Sequence, residues 1–176
     1  MRALGPGSVS SFLKVILDVF YLIVWVAAVG VAIAIVGVLL LSFNPELLAG
    51  LSIDNLRVRG PWRGPIIAAT LAVYGLYLAG AIVIVGRLRR IFRTLIAGDP
   101  FHPENVRRLR VIGMMLAILE LGRYAAAGVS HLVLRGAVHI GGGVNLTTWF
   151  AVLVIIVLAE VFREGARLRG EAELTI

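Results

Sequence analysis

Charged residues in this chain are gathered into short stretches, and between them lie four apolar runs. No charge falls between Asp18 and Glu46, so residues 19–43 form 25 uncharged positions, more than the roughly 20 a helix needs to cross a bilayer. That length predicts a spanning helix rather than a cleavable signal, whose apolar core is shorter. A second run covers residues 66–86 and stops at Arg87-Leu88-Arg89-Arg90-Ile91-Phe92-Arg93. Beyond it Leu88, Ile91, Phe92, Leu95 and Ile96 recur with helical spacing, which predicts an amphipathic extension of the same helix. Gly98 is suited to stop it. Pro103 and Glu104 suit the first turn of the next helix, where a missing N–H is harmless and a negative charge meets the positive end of the dipole. Val106, Leu109 and Ile112 then lead into a third run, residues 111–134. The fourth run starts near Asn145, extends through Glu160-Val161-Phe162, and continues as a charged helix from Arg163 to about Glu173.

The expected fold is an all-α membrane protein, a single domain built as a four-transmembrane-helix bundle. Its spans are expected at about 15–43, 65–86, 111–134 and 145–162, joined by an outer loop 44–64, a cytoplasmic loop 87–110 and an outer loop 135–144, with a tail 163–176. Small residues at spacings of three and four, Ala27, Gly30, Ala34 and Gly37 in the first run and Ala72, Gly75 and Ala79 in the second, mark expected packing seams, with Tyr74 and Tyr77 as polar handles. In the outer loops, Leu56-Arg57-Val58-Arg59 and Ala137-Val138-His139-Ile140 alternate with a period of two, and the two segments are compatible with a short β pairing. Asp18, Tyr21 and Trp25 share a face near the start of the first span, as a headgroup-level belt or as a contact for the basic loop.

The third run is interrupted by charge. Glu120 and Arg123 stand three residues apart, hence on one side of a helix, and a lone charge at mid-bilayer costs about 2.5–3.5 kcal/mol on the lenient insertion scale. This side must face other helices. At 100° per residue Arg123, Tyr124, Ala127 and His131 all fall within about 60° of Glu120, so Glu120, Arg123, Tyr124 and His131 form an intramembrane polar stripe. Such a stripe can relay protons, or it can be a neutral pair that fixes which face is buried. Glu160, near the end of the fourth span, is expected at the interface, with an arginine of the middle loop as its neighbour.

Composition narrows the chemistry. The chain is 60% hydrophobic with a mean hydropathy of +0.97, so its solvent is lipid. Its net charge of +7 would suggest nucleic acid in a soluble protein; here its distribution explains it. Twelve basic residues lie in the amino end, the 87–110 loop and the carboxyl end, against four in the other two loops. By the positive-inside rule both termini and the middle loop are cytoplasmic, and no direct nucleic-acid partner is expected. With no cysteine, thiolate catalysis and thiolate metal sites are excluded. Gly141-Gly142-Gly143 has no following lysine of a phosphate loop. One histidine within a span is too few for paired haem ligation, and no nucleophile with a base, carboxylate pair or metal-ligand spacing appears. No cofactor, no metal and no enzyme activity are expected.

Two stretches carry a resemblance. Asp99-Pro100-Phe101 followed by Glu104-Asn105-Val106-Arg107-Arg108-Leu109-Arg110-Val111-Ile112-Gly113, and the tail Leu158-Ala159-Glu160-Val161-Phe162-Arg163-Glu164-Gly165-Ala166-Arg167-Leu168 ending Glu173-Leu174-Thr175-Ile176, resemble the bacterial four-helix integral membrane family called domain of unknown function twenty-nine seventy-five. The chain departs from that pattern with Gly170 in place of a charged residue and Asp99 where Asn is common. The resemblance implies the bacterial cytoplasmic membrane, and a cytoplasmic helix-turn-helix regulator as partner, since such a regulator is commonly encoded alongside. The expected function is therefore a non-enzymatic regulatory or sensory membrane protein. Its contact with a partner or with lipid would run through Arg87, Arg89, Arg90, Arg93, Arg107, Arg108, Arg110, Glu160 and Arg163. The alternative is a small proton-coupled carrier, working as a homo-oligomer, with Glu120 as the coupling site.

Overall fold

The computed structural model describes residues 9–42, 63–132 and 143–173. They form four helices and, among the described residues, no strand: α1 (Val9–Leu41), α2 (Arg63–Ile96), α3 (Pro103–Leu132) and α4 (Leu146–Glu173). Each contains a stretch long and apolar enough to cross a membrane. The outer-loop segments 56–59 and 137–140 lie outside the described residues, as do both ends of the chain.

The helix boundaries follow from local chemistry. α1 begins at Val9, ahead of the apolar run. α2 passes through its arginines to Ile96 as one helix. It ends at Gly98, whose φ of 83° lies in the left-handed region, where the amide of Gly98 donates to the Leu95 carbonyl and that of Asp99 to the Thr94 carbonyl at 3.0 Å. This pair of bonds satisfies carbonyls that the helix end would otherwise leave open, and glycine adopts the required φ without steric penalty. His102 caps α3: its Nδ1 accepts from the Glu104 amide at 3.2 Å, and Pro103 occupies the first helical position. Asn145 does the same for α4, its Oδ1 accepting from the amides of Thr147 and Thr148.

The chain divides into two compact units. The first comprises Met1–Val24, Gly80–Ile118 and Asn145–Ile176. Its core is Ile91, Leu109, Ile112 and Ala159, with Leu88, Leu95, Ile155 and Phe162 among the side chains packed on them. Gly113 lets α4 approach α3, because a Cβ there would stand 3.3 Å from Ile155. The second unit comprises Trp25–Ala79 and Leu119–Val144. Val38, Ile67 and Ala68 are buried in it with Leu71 against them, and Val31 packs 3.6 Å from where a Cβ of Gly75 would be.

On α1 the contact face differs from the expected seam. A Cβ added at Gly30 or Gly37 would meet nothing within 4 Å, and Ala27 and Ala34 are exposed. The face turned inward is instead Val24, Ala28, Val31, Ile35 and Val38, spaced by four and three. Branched side chains there offer more contact area than the small stripe, and between helices in lipid it is packing, not hydrophobicity, that discriminates. The outside is as apolar as the inside: Ile33, Leu40, Leu76, Leu121 and Phe150 are all more than half exposed. In water this surface would aggregate; in hydrocarbon it is the expected exterior.

Candidate functional site

Two constellations stand out, one in each unit. In the second unit Glu120 is 5% exposed. Arg123, one helical turn on, closes a two-pronged pair on it, NH2 to Oε1 at 2.6 Å and Nε to Oε2 at 3.2 Å. The same NH2 donates to the carbonyl of Gly143 at 2.6 Å, and the guanidinium lies 4.9 Å from the centre of the Tyr124 ring. From α2 the Tyr77 hydroxyl donates to the carbonyl of Leu119, next to Glu120, at 3.1 Å. The charges are thus mutually neutralised, and the arginine also ties α3 to the chain leading into α4.

The stripe expected along α3 is brought together in part. Glu120, Arg123 and Tyr124 form one cluster, Ala127 and Ser130 continue its buried face, and His131 is exposed at the helix end. Ser130, Tyr77 and Gly143 were not among the expected site residues. Serine carries too little polarity to stand out in an apolar run, and a backbone carbonyl leaves no mark in a sequence.

In the first unit the turn between α2 and α3 is fastened to α4. The Phe101 ring packs against α4 at Gly165, where a Cβ would come 2.5 Å from it, and meets the Phe162 ring at 5.7 Å between centroids. Asp99 pairs with Arg169 at 2.5 Å. Beneath the turn Asn105, 0% exposed, donates to Thr94 Oγ1 at 2.7 Å and to the Pro100 carbonyl at 3.0 Å. Its Oδ1 accepts from Arg108, which also donates to the Arg90 carbonyl and pairs with Glu104. The two stretches that carry the sequence resemblance therefore meet in space and form one cap.

The fit at Gly165 gives a direct test. Gly165→Ala should push the Phe101 ring off α4 and lower stability by about 1–3 kcal/mol, the range for overpacking. Adding Phe101→Ala should then bring little further loss in thermal unfolding in detergent. Additive losses would show that the two residues act separately.

The remaining expected contact residues divide by pairing. Arg89 bonds Asp18 at 2.5 Å and lies 4.4 Å over the Tyr21 ring, so the basic segment does touch the Asp18–Tyr21 face. Glu160 pairs with Arg163 on its own helix rather than with the middle loop, because i and i+3 on one helix are neighbours without any reach across helices. Arg167 is shared by Glu164 and Glu171. Arg87, Arg90, Arg93, Arg107 and Arg110 make no ion pair with a described residue. Among the described residues no group of three or more His, Asp or Glu could hold a metal ion.

Four apolar helices, one of them carrying a buried ion pair, define a multi-pass membrane protein. Residues 52–176 match the sequence model of the family described as "Protein of unknown function (DUF2975)". The chain belongs to that family. No curated protein and no solved structure matches it.

Proposed function

We propose that this is a non-enzymatic regulatory or sensory protein of the bacterial cytoplasmic membrane. Both termini face the cytoplasm, and a cytoplasmic protein, such as a helix-turn-helix regulator, docks on the cap formed by the α2–α3 turn and the tail of α4. The observation behind this reading is the cap itself. Asp99, Phe101, Asn105, Arg108, Phe162, Gly165 and Arg169 are used internally to hold it. Arg107 and Arg110 are exposed on it, with no ion partner among the described residues. A surface already ordered before binding loses little conformational freedom on docking, and free guanidinium groups suit a partner with an acidic face.

The division between inward and outward arginines selects the test. Arg108 holds Asn105 and Glu104, so replacing it would disturb the cap as well as its surface. Arg107→Gln with Arg110→Gln removes only outward charge. Where a helix-turn-helix regulator is encoded beside this chain, its co-purification, tagged and expressed with the full-length chain, should drop several-fold in that double variant with melting temperature unchanged. Undiminished recovery would remove the cap arginines as the docking surface.

The carrier reading requires Glu120 to take and release a proton. The carboxylate instead sits in a bidentate bond to a guanidinium that is anchored on Gly143. This arrangement favours a fixed structural role for the pair.

A further inference from the structure

Within the first unit α1 and α2 run antiparallel in a register set by two contacts. Asp18 bonds Arg89, and Tyr21, three residues further along α1, lies beside Gly86, three residues back along α2, 3.7 Å from where a Cβ of Gly86 would be. Carrying that register one helical turn the other way places Lys14 opposite Arg93. Both are cations, and neither side chain forms an ion pair or hydrogen bond with a described residue. No acidic residue precedes Asp18 in the sequence. Two facing cations repel, and a counter-anion between them converts that repulsion into attraction.

Their depth indicates which anion. Val19 begins the uncharged run of α1 and Gly86 ends that of α2, so Asp18 and Arg89 mark the edge of the hydrocarbon. Lys14 and Arg93 lie four residues further out, about 6 Å along a helix, inside the headgroup layer, which adds roughly 5–7 Å on each side of the hydrocarbon core. Just inward, Val19, Phe20 and Ile23 of α1 are exposed and apolar, a wall suited to acyl chains. We propose that Lys14 and Arg93 together hold the phosphate of an anionic phospholipid, whose chains lie along α1. Arg89 is not part of this site, since Asp18 and Tyr21 engage it. The site does not depend on which leaflet it faces, nor on the docking function proposed above. It also uses a helix that precedes the family match at residues 52–176.

The experiment uses full-length protein, delipidated in neutral detergent, with phosphatidylglycerol or phosphatidylcholine added back. Bound lipid is counted by native mass spectrometry and thermal unfolding is followed in parallel. The wild-type chain should retain phosphatidylglycerol preferentially and melt higher with it. Lys14→Gln with Arg93→Gln should lose about tenfold or more of that preference, as expected for two basic residues at a membrane surface. Arg167→Gln, on the tail, should keep it. Lys14→Glu should pair with Arg93, remain folded in neutral lipid and lose the preference, which keeps the test decisive if the double variant folds poorly. Three results would overturn the proposal: an unchanged preference in the Lys14 and Arg93 variants, an equal loss in Arg167→Gln, or the same rise in melting temperature from inorganic phosphate alone.

Discussion

Arg123→Met should be among the most destabilising single substitutions in the chain, lowering stability by about 3–5 kcal/mol, because it strands the buried carboxylate of Glu120 without its charge partner. The same change frees the Gly143 carbonyl, so the chain entering α4 should become less protected from hydrogen exchange. Combining Arg123→Met with Glu120→Gln removes the stranded charge and should restore at least half of the loss, a large coupling between two residues in direct contact. Thermal unfolding of the single variants, the double variant and the wild type in one detergent measures the cycle. A proton-flux assay on Glu120→Gln in vesicles completes it. Flux abolished by Glu120→Gln while Arg123→Met stays as stable as the wild type would reverse the reading and make Glu120 a coupling carboxylate.

Asn105→Leu is the second large effect. Asn105 is wholly buried, and its amide and carbonyl together bond Thr94, the Pro100 carbonyl and Arg108. Leucine matches it roughly in volume but offers none of these bonds, leaving the Pro100 carbonyl and the Arg108 guanidinium short of partners. At about 1–3 kcal/mol for each buried polar group left unpaired, the loss should be about 3 kcal/mol. It should be accompanied by faster proteolysis at the 97–102 turn. Asn105→Asp keeps the acceptor for Arg108 and loses the donors, so it should fall between the two. A leucine variant that melts with the wild type and resists protease equally would show that the turn is held by Phe101 and Asp99 alone.

These two sites differ in how far the sequence reveals them. Glu120 and Arg123 are conspicuous because charge inside an apolar run is costly, and their spacing alone makes them neighbours on a helix. Asn105 is not conspicuous: it lies in a polar stretch beside arginines, where an asparagine has no reason to be buried. Only the docking of the turn over it encloses it. The arginines are similar. Their number and location are plain in the sequence, but which are neutralised depends on neighbours three or four residues away for Arg108, Arg163 and Arg167, on another helix for Arg89 and on the α2–α3 turn for Arg169.

What the sequence determined by itself is the set of local, periodic and length-dependent features. Four apolar runs of membrane length, the stop at Gly98, the start at Pro103 and the continuation of α4 into its charged tail are each decided within a few residues, by backbone stereochemistry and by the cost of placing charge in hydrocarbon. What only the tertiary structure decided are contacts between residues far apart in the chain. Val24, Val31 and Val38 serve as the inner face of α1 instead of its glycines, Phe101 lies on Gly165, Arg123 reaches Gly143, and Asp18 of α1 bonds Arg89 of α2. The reason is that in lipid every face of these helices is apolar, so the hydrophobic pattern that orients a helix in water is silent. Shape complementarity and a few polar bonds choose the neighbours.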